Sequence, residues 1–244
     1  MVITSLENEK IKNLAKLNKK KYRDQTNKFI VEGMHLELEA YKSGHLDELI
    51  LEENVDLPFD IPYTYVSREV IEKISSVDTP TNIIGVCHKN SSNVISGSKF
   101  LILDELQDPG NLGTIIRSAV AFNIDTIILG ENTVDLYNPK VIRATQGMLF
   151  HTNIVSRDVL EVIEQIKERN IPVYGTDVEK GMDVRSLSLD DKKKFALVMG
   201  NEGNGVRPLV KKSCDKNLYI RMNENVESLN VAIATSILLY ELGR

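Results

Sequence analysis

The 244-residue chain is 42% hydrophobic, enough apolar material for one large domain or two small ones, and its net charge of −5 argues against an indiscriminate polyanion binder. Its apolar runs, such as Ile127-Ile128-Leu129, are too short to span a bilayer, and the Met1-Val2-Ile3 start lacks a basic-then-apolar leader, so cytoplasmic residence is expected. Cys87, Cys214 and the scattered His35, His45, His88 and His151 show no metal-ligand or triad spacing, which predicts reduced structural thiols and no metal site.

Residues 1–28 are locally basic, with eight Lys or Arg against three acidic residues: +5 here and −10 over the rest. Lys19, Lys20, Lys21 and Arg23 are candidates to neutralise phosphates, and a solvated basic helix is an equal reading of this segment taken alone. Ile11, Leu14, Ala15 and Leu17 give the segment a helical stripe, and Phe29-Ile30-Val31 reads as a short buried strand. A helix over 34–41 follows, stopped by Lys42-Ser43-Gly44. Strands are expected over 46–51, 61–66 and 83–87, with a helix over 67–74 capped by Ser67. This α/β unit ends in the polar stretches 89–93 and 96–98, which read as a linker.

The second unit opens with Phe100-Leu101-Ile102-Leu103, a continuous apolar run of the kind buried on both faces of a parallel sheet. A helix over 111–122, a strand over 126–129, a helix over 159–169 and strands over 173–175 and 195–199 follow, then a helix started by Val206-Arg207-Pro208. A strand-like run over 217–220 and a closing helix over 228–242 complete the alternation. It predicts an α/β fold with a doubly wound parallel sheet, in which ligands gather at the carboxyl ends of the strands.

Three polar clusters close such apolar runs. In the first, Pro109-Gly110 is a turn, Asn111 is read as the N-cap of the next helix, and Arg117 stands about two turns in. Alone, Arg117 reads as a solvated helix arginine. The second, Gly200-Asn201-Glu202-Gly203-Asn204-Gly205, lets backbone approach a ligand closely, with a ligand-free tight turn as the alternative. It has no Lys-Ser or Lys-Thr after its last glycine and does not follow the first strand, so nucleotide-hydrolase and dinucleotide readings fail. Glu202 within it suits a cationic or hydroxyl-bearing ligand better than a phosphate. The third is Ser228-Leu229-Asn230-Val231-Ala232, where polar groups cap a helix and can face a ligand. Lys211-Lys212 reads as solvated surface.

In order and content these clusters resemble the three motifs of the SpoU-type RNA ribose 2′-O-methyltransferases, in the TrmH group of trefoil-knotted methyltransferases. The resemblance covers residues 98–244 as a knotted catalytic domain with a parallel sheet. Residues 1–92 resemble a small ribosomal-protein-like α/β substrate-binding domain, carried there by Phe29-Ile30-Val31-Glu32-Gly33 and the helix after it. The resemblance implies S-adenosylmethionine as methyl donor, RNA as substrate and an obligate homodimer with active sites at the subunit interface. It implies catalytic roles for Arg117, Asn111, Glu202, Ser228 and Asn230, Arg117 also meeting RNA. It places Gly175, Thr176, Gly200, Asn201, Gly203, Ile220, Met222, Ser228 and Leu229 around the cofactor. A guanidinium normally keeps its proton, so Arg117 is expected either to lose it transiently or to clamp a substrate phosphate.

The resemblance also implies ribosomal rather than transfer RNA, since the family's transfer-RNA enzymes generally lack a separate first unit. The chain departs from the family pattern at Arg221 and Glu224, ahead of the third motif, and this keeps a second reading open: a non-catalytic RNA-binding or ribosome-assembly factor that retains the fold.

Overall fold

A computed structural model describes residues 2–56, 58–90, 92–178 and 181–243; Ser91 of the expected linker lies outside them. The chain forms two compact units. One comprises Met1–Ser91 with Asp135–His151, and the other Ser92–Val134 with Thr152–Arg244.

The first unit runs β1 (Val2–Ile3), α1 (Glu9–Lys16), α2 (Lys20–Thr26), β2 (Lys28–Glu32), α3 (Met34–Lys42), β3 (Leu46–Glu52), β4 (Tyr63–Val66), α4 (Arg68–Ile74) and β5 (Ile83–His88). Its mixed sheet has the order β1-β4-β3-β5-β2. Ile11, Leu14 and Leu17 from the basic segment pack with Val70, Ile71 and Ile74 of α4 over Ile30, Ile50 and Ile84. The apolar stripe of that segment is therefore core, while Lys16, Lys19, Lys20 and Lys21 are exposed. The expected Ser67 side-chain cap is not made. The N–H of Val70 bonds the Ser67 carbonyl at 3.1 Å instead, and the hydroxyl is buried without a partner.

The apolar patterning predicts no element over 135–151, and the segment, though it falls within the second unit's sequence, packs with the first unit. After Asp135 it forms α6 (Pro139–Thr145), capped by Asn138, and a 3-10 turn over Met148–Phe150. Tyr137 and Phe150 set their rings against Phe29, at centroid distances of 4.7 and 6.2 Å. Polar ties accompany them: Arg23 to Asp135 at 2.5 Å, His151 to Glu39 at 2.6 Å and Arg143 to the Ser76 hydroxyl at 3.0 Å. Phe29 on the strand face away from α1 and α4 is thereby covered, which supplies the physical reason for the excursion. The Asn138-Pro139 pair, an N-cap followed by Pro at N1, was its legible signal.

The second unit runs β6 (Lys99–Leu103), α5 (Pro109–Ala121), β7 (Thr126–Leu129), β8 (Asn153–Ser156), α7 (Val159–Glu168), β9 (Val173–Thr176), β10 (Met182–Asp183), α8 (Leu189–Lys193), β11 (Phe195–Met199), α9 (Pro208–Ser213), β12 (Lys216–Tyr219) and α10 (Val231–Leu242). Its seven strands are parallel throughout, in the order β10-β12-β9-β11-β6-β7-β8. Phe100, Ile102, Val173, Val198 and their neighbours pack against Val162, Ile163 and Ile166 of α7 and Val210 of α9. β6, β7 and β11 are buried on both faces, as their continuous apolar runs require. α5 and α10 pack together, with the Ser118 and Ser236 hydroxyls 2.7 Å apart and Phe122 edge-on to Tyr240. Among the described residues no helix is long and apolar enough to cross a membrane. Both cysteines are free thiols, and burial pushes Cys87 well above the usual thiol range and Cys214 up to about 11.

Candidate active site

The sheet order sets β12, β9, β11 and β6 side by side, so the segments leaving their carboxyl ends meet. Those segments are Ile220 onward, Thr176 onward, the loop from Gly200 and the entry to α5. A cavity of about 490 Å³ lies among the first three, a volume within the range of nucleoside-sized ligand sites. Thr176, Gly200, Asn201, Gly203, Ile220, Met222, Ser228 and Leu229 line it, as does Glu202. Gly175 is not among the lining residues. A Cβ there would overlap the Asn217 side chain and crowd Cys214, so the glycine serves the packing of β9 rather than a ligand.

Gly200 is bare for a related reason. A Cβ on it would strike the Gly205 and Val206 backbone, because Asn201 and Gly205 close the loop with paired backbone bonds of 3.0 and 2.9 Å. The glycines read from sequence as room for a ligand thus let the loop fold on itself and present its backbone edge to the cavity. The Asn201 side chain completes the turn by accepting from the N–H groups of Gly203 and Asn204 at 2.8 and 3.2 Å.

Three of the five expected catalytic residues form one hydrogen-bonded chain. Asn230 donates from Nδ2 to Asn111 Oδ1 at 2.9 Å, and Asn111 donates from Nδ2 to Glu202 Oε1 at 3.1 Å. Glu202 also accepts the backbone N–H of Asp108 at 3.1 Å and of Gln107 at 3.4 Å. Partial burial pushes its carboxyl up, but these donors outweigh that and hold it below the ordinary range. A carboxylate of the chain itself thus meets the N–H groups at the entry to α5. The N-cap there is Asp108, which accepts from Asn111 N–H, rather than Asn111, whose side chain is left to join the network. Asn230 in turn caps α10 by accepting from Ala232 and Ile233. That helix begins at Val231, later than expected, leaving Ser228 in the loop before it and exposed.

Arg117 does not join these residues. It is exposed on α5, and among the described residues it makes no hydrogen bond or ion pair. Arg23, expected to bind RNA, is 4% exposed, bonded to Asp135 and donating to the Leu17 carbonyl at 2.7 Å, so its charge is spent within the first unit. Lys19, Lys20 and Lys21 are exposed. Lys211, expected on the solvated surface, lines the cavity in an ion pair with Asp177. Arg221 and Glu224, the departures that kept a non-catalytic reading open, are exposed and absent from the cavity wall, and the charge of Arg221 acts on Asp183.

A parallel α/β sheet whose adjacent strand ends enclose a nucleoside-sized cavity, lined by loop amides, the Glu202 carboxylate and the Lys211–Asp177 ion pair, is a ligand site of the nucleoside-binding class. The chain belongs to the SpoU rRNA Methylase family, whose model matches residues 98–240; an MRM3-like substrate binding domain matches residues 8–85. It is 38% identical to the 23S rRNA (guanosine(2553)-2′-O)-methyltransferase RlmP of Bacillus subtilis (strain 168), over 98% of each chain. Among solved structures it resembles an AdoMet-bound rRNA methyltransferase from Sinorhizobium meliloti, with 29% identity, TM-score 0.86 and coverage of 99% of this chain and 97% of that one. An RNA 2′-O ribose methyltransferase superposes with TM-score 0.83 at 29% identity, over 99% and 98% of the two chains.

Proposed function

We propose that this chain transfers the methyl group of S-adenosylmethionine to a ribose 2′-hydroxyl of ribosomal RNA, with 23S RNA favoured by the full-length similarity to RlmP. One observation carries the reading. Asn230, Asn111 and Glu202, from three separate stretches of chain, are bonded to one another beside a nucleoside-sized cavity.

The cavity fits the cofactor in size and in chemistry, offering loop backbone for a base and ribose and the apolar Ile220, Met222 and Leu229 for an adenine face. When bound, S-adenosylmethionine supplies an electrophilic methyl on a sulfonium. Thr176, Gly200, Asn201, Gly203, Ile220, Met222, Ser228 and Leu229 would hold it. Glu202, ionised and bonded in place, fixes a negative group at the rim, and Asn111 and Asn230 lock that group and each other. Dipoles already held in place align reacting groups without reorganising during transfer. Arg117, exposed on α5, clamps an RNA phosphate so that the ribose oxygen is presented in line.

In this reading the first unit binds RNA through Lys19, Lys20 and Lys21, the second catalyses, and the protein works in the cytoplasm. The C-terminal segment is threaded in the family's trefoil knot, a topology compatible with the neighbouring places of β9, β11 and β12 in the sheet. The chain acts as a homodimer through the α5 and α10 surface, where Ile233 and Tyr240 are 54% and 50% exposed and seven residues apart on one helix face. Sedimentation at micromolar concentration should give twice the chain mass.

The deciding experiment is transfer of labelled methyl from S-adenosylmethionine to total RNA from cells lacking the protein, with Arg117→Ala alongside. Alkali-stable label in 23S RNA, absent with the variant, is the expected result and allows the nucleotide to be mapped. Label in transfer RNA alone would move the substrate assignment, and no label in RNA or ribosomal subunits would return the chain to an RNA-binding role.

A further inference from the structure

Two neighbouring residues at the end of β6, Asp104 and Glu105, hold both feet of the loop between β11 and α9, yet neither lines the cavity. Asp104 is fully buried. Its Oδ2 accepts the Arg207 backbone N–H at 2.9 Å and its Oδ1 accepts Arg207 Nε at 2.8 Å, which fixes the residue after Val206 in both main chain and side chain. A buried carboxylate with two donors of this quality is a rigid anchor.

Glu105 takes the left-handed conformation, with φ +59°, although it carries a side chain. Its carbonyl accepts Asn201 Nδ2 at 3.0 Å, and the Oδ1 of the same amide shapes the turn at Gly203 and Asn204. Asn132 holds the Glu105 side chain through an Nδ2 to Oε1 bond of 3.2 Å. A non-glycine residue keeps such a backbone only where its surroundings fix it, and here the bond made by the outlying residue runs into the loop.

We infer that Asp104 and Glu105 are positioning residues for cofactor binding: without touching the adenosyl ligand, they set the shape of the 200–206 loop that receives it. The inference rests on the cofactor reading above. Glu105→Val puts a β-branched residue where φ is positive, whereas Glu105→Gly keeps both the conformation and the carbonyl.

Calorimetry with S-adenosylhomocysteine on the full chain should show about tenfold weaker binding for Glu105→Val, with Glu105→Gly within about threefold of the wild type. In hydrogen exchange the Gly203 and Asn204 amides should lose protection in the valine variant, while amides of β6 and β11 keep theirs. In turnover the loss should appear in KM for the methyl donor, with kcat retained at saturation. Arg207→Ala, which removes the side-chain half of the Asp104 anchor, should weaken binding in the same direction and decides the matter if the valine variant does not fold. Folded Glu105→Val or Arg207→Ala binding like the wild type would overturn the inference alone. So would a glycine variant as weak as the valine one, which would assign the effect to the contact with Asn132. A wild type that does not bind S-adenosylhomocysteine would overturn the cofactor reading and this inference with it.

Discussion

Arg23 in the first unit and Arg117 in the second stand in opposite surroundings. Arg23 is buried, with Asp135 and the Leu17 carbonyl as partners, while Arg117 is exposed and unpaired among the described residues. The difference separates two uses of one side chain. A guanidinium engaged inside the protein by a carboxylate and a carbonyl holds elements together, and one whose donors face solvent is available to an anionic ligand. Substituting each should therefore affect different observables. Arg117→Ala should lower kcat for methyl transfer by about 10³-fold while leaving S-adenosylhomocysteine binding and unfolding midpoint near wild type. Single-turnover transfer to 23S RNA, beside calorimetry, tests it. A matching loss of cofactor affinity would break the contrast.

Arg23→Ala should behave the other way. It leaves Asp135 partly buried without its partner, which costs about 3 kcal/mol in urea unfolding, with kcat of the folded protein unchanged. Asp135→Leu combined with Arg23→Met should recover much of that loss, because replacing both charges removes the uncompensated one.

The contrast extends to carboxylates. Glu202 is held ionised by amide donors, whereas burial, with the charge of Glu32 adding to it, pushes Glu37 up to about 8 against partial relief from the N–H groups of Gly33 and Gly85. Glu37 is fully buried and one of its oxygens has no hydrogen-bond partner. Its folded-state pKa lies above the ordinary 4.5, so between these values the folded chain holds one more proton than the unfolded chain. The stability this contributes is full below pH 4.5 and is lost as pH rises toward 8. Its slope is at most about 1.4 kcal/mol per pH unit, or roughly 2 kcal/mol between pH 5.5 and 7. Urea unfolding across that window should show the slope flatten in Glu37→Gln, whatever constant offset the amide introduces. Equal slopes would mean that Glu37 is ionised in the fold.

What was legible in the sequence is what local pattern dictates. β7 and β11 have the bounds expected from their unbroken apolar runs, because a strand buried on both faces needs no tertiary information to show itself. Asn111, Glu202 and Asn230 were nameable because each closes such a run, and a parallel sheet brings strand ends together. Pairings made across the fold were not legible. Asp104 meets Arg207, Arg23 meets Asp135 and Lys211 meets Asp177 across separations that no periodicity marks. Arg23 was misassigned for that reason: local composition shows a basic residue, and only the packed partner shows whether its charge is free. The 135–151 excursion escaped similarly, since its partner face, Phe29, lies in the other unit's sequence.

The smallest predicted effect sharpens the comparison within the basic segment itself. Lys19, Lys20 and Lys21 are exposed, and their neighbour Tyr22 has the ammonium groups of Lys16 and Lys21 at 5.7 and 5.9 Å from its ring centre. Replacing the three lysines with alanine leaves the Ile11, Leu14 and Leu17 stripe in place, so the unfolding midpoint should hold. Phosphate contacts are lost, and KM for RNA should rise about tenfold near physiological salt, with kcat retained. The charge is spread over flexible side chains at the surface, so the effect should be non-specific and screened by salt. The dependence of log affinity on log salt should become shallower by about two units, as expected for three fewer phosphates neutralised. An unchanged salt slope would place RNA contact elsewhere in the molecule, and a collapse of kcat with KM unmoved would mean that these lysines act in the transfer step that the comparison reserves for Arg117.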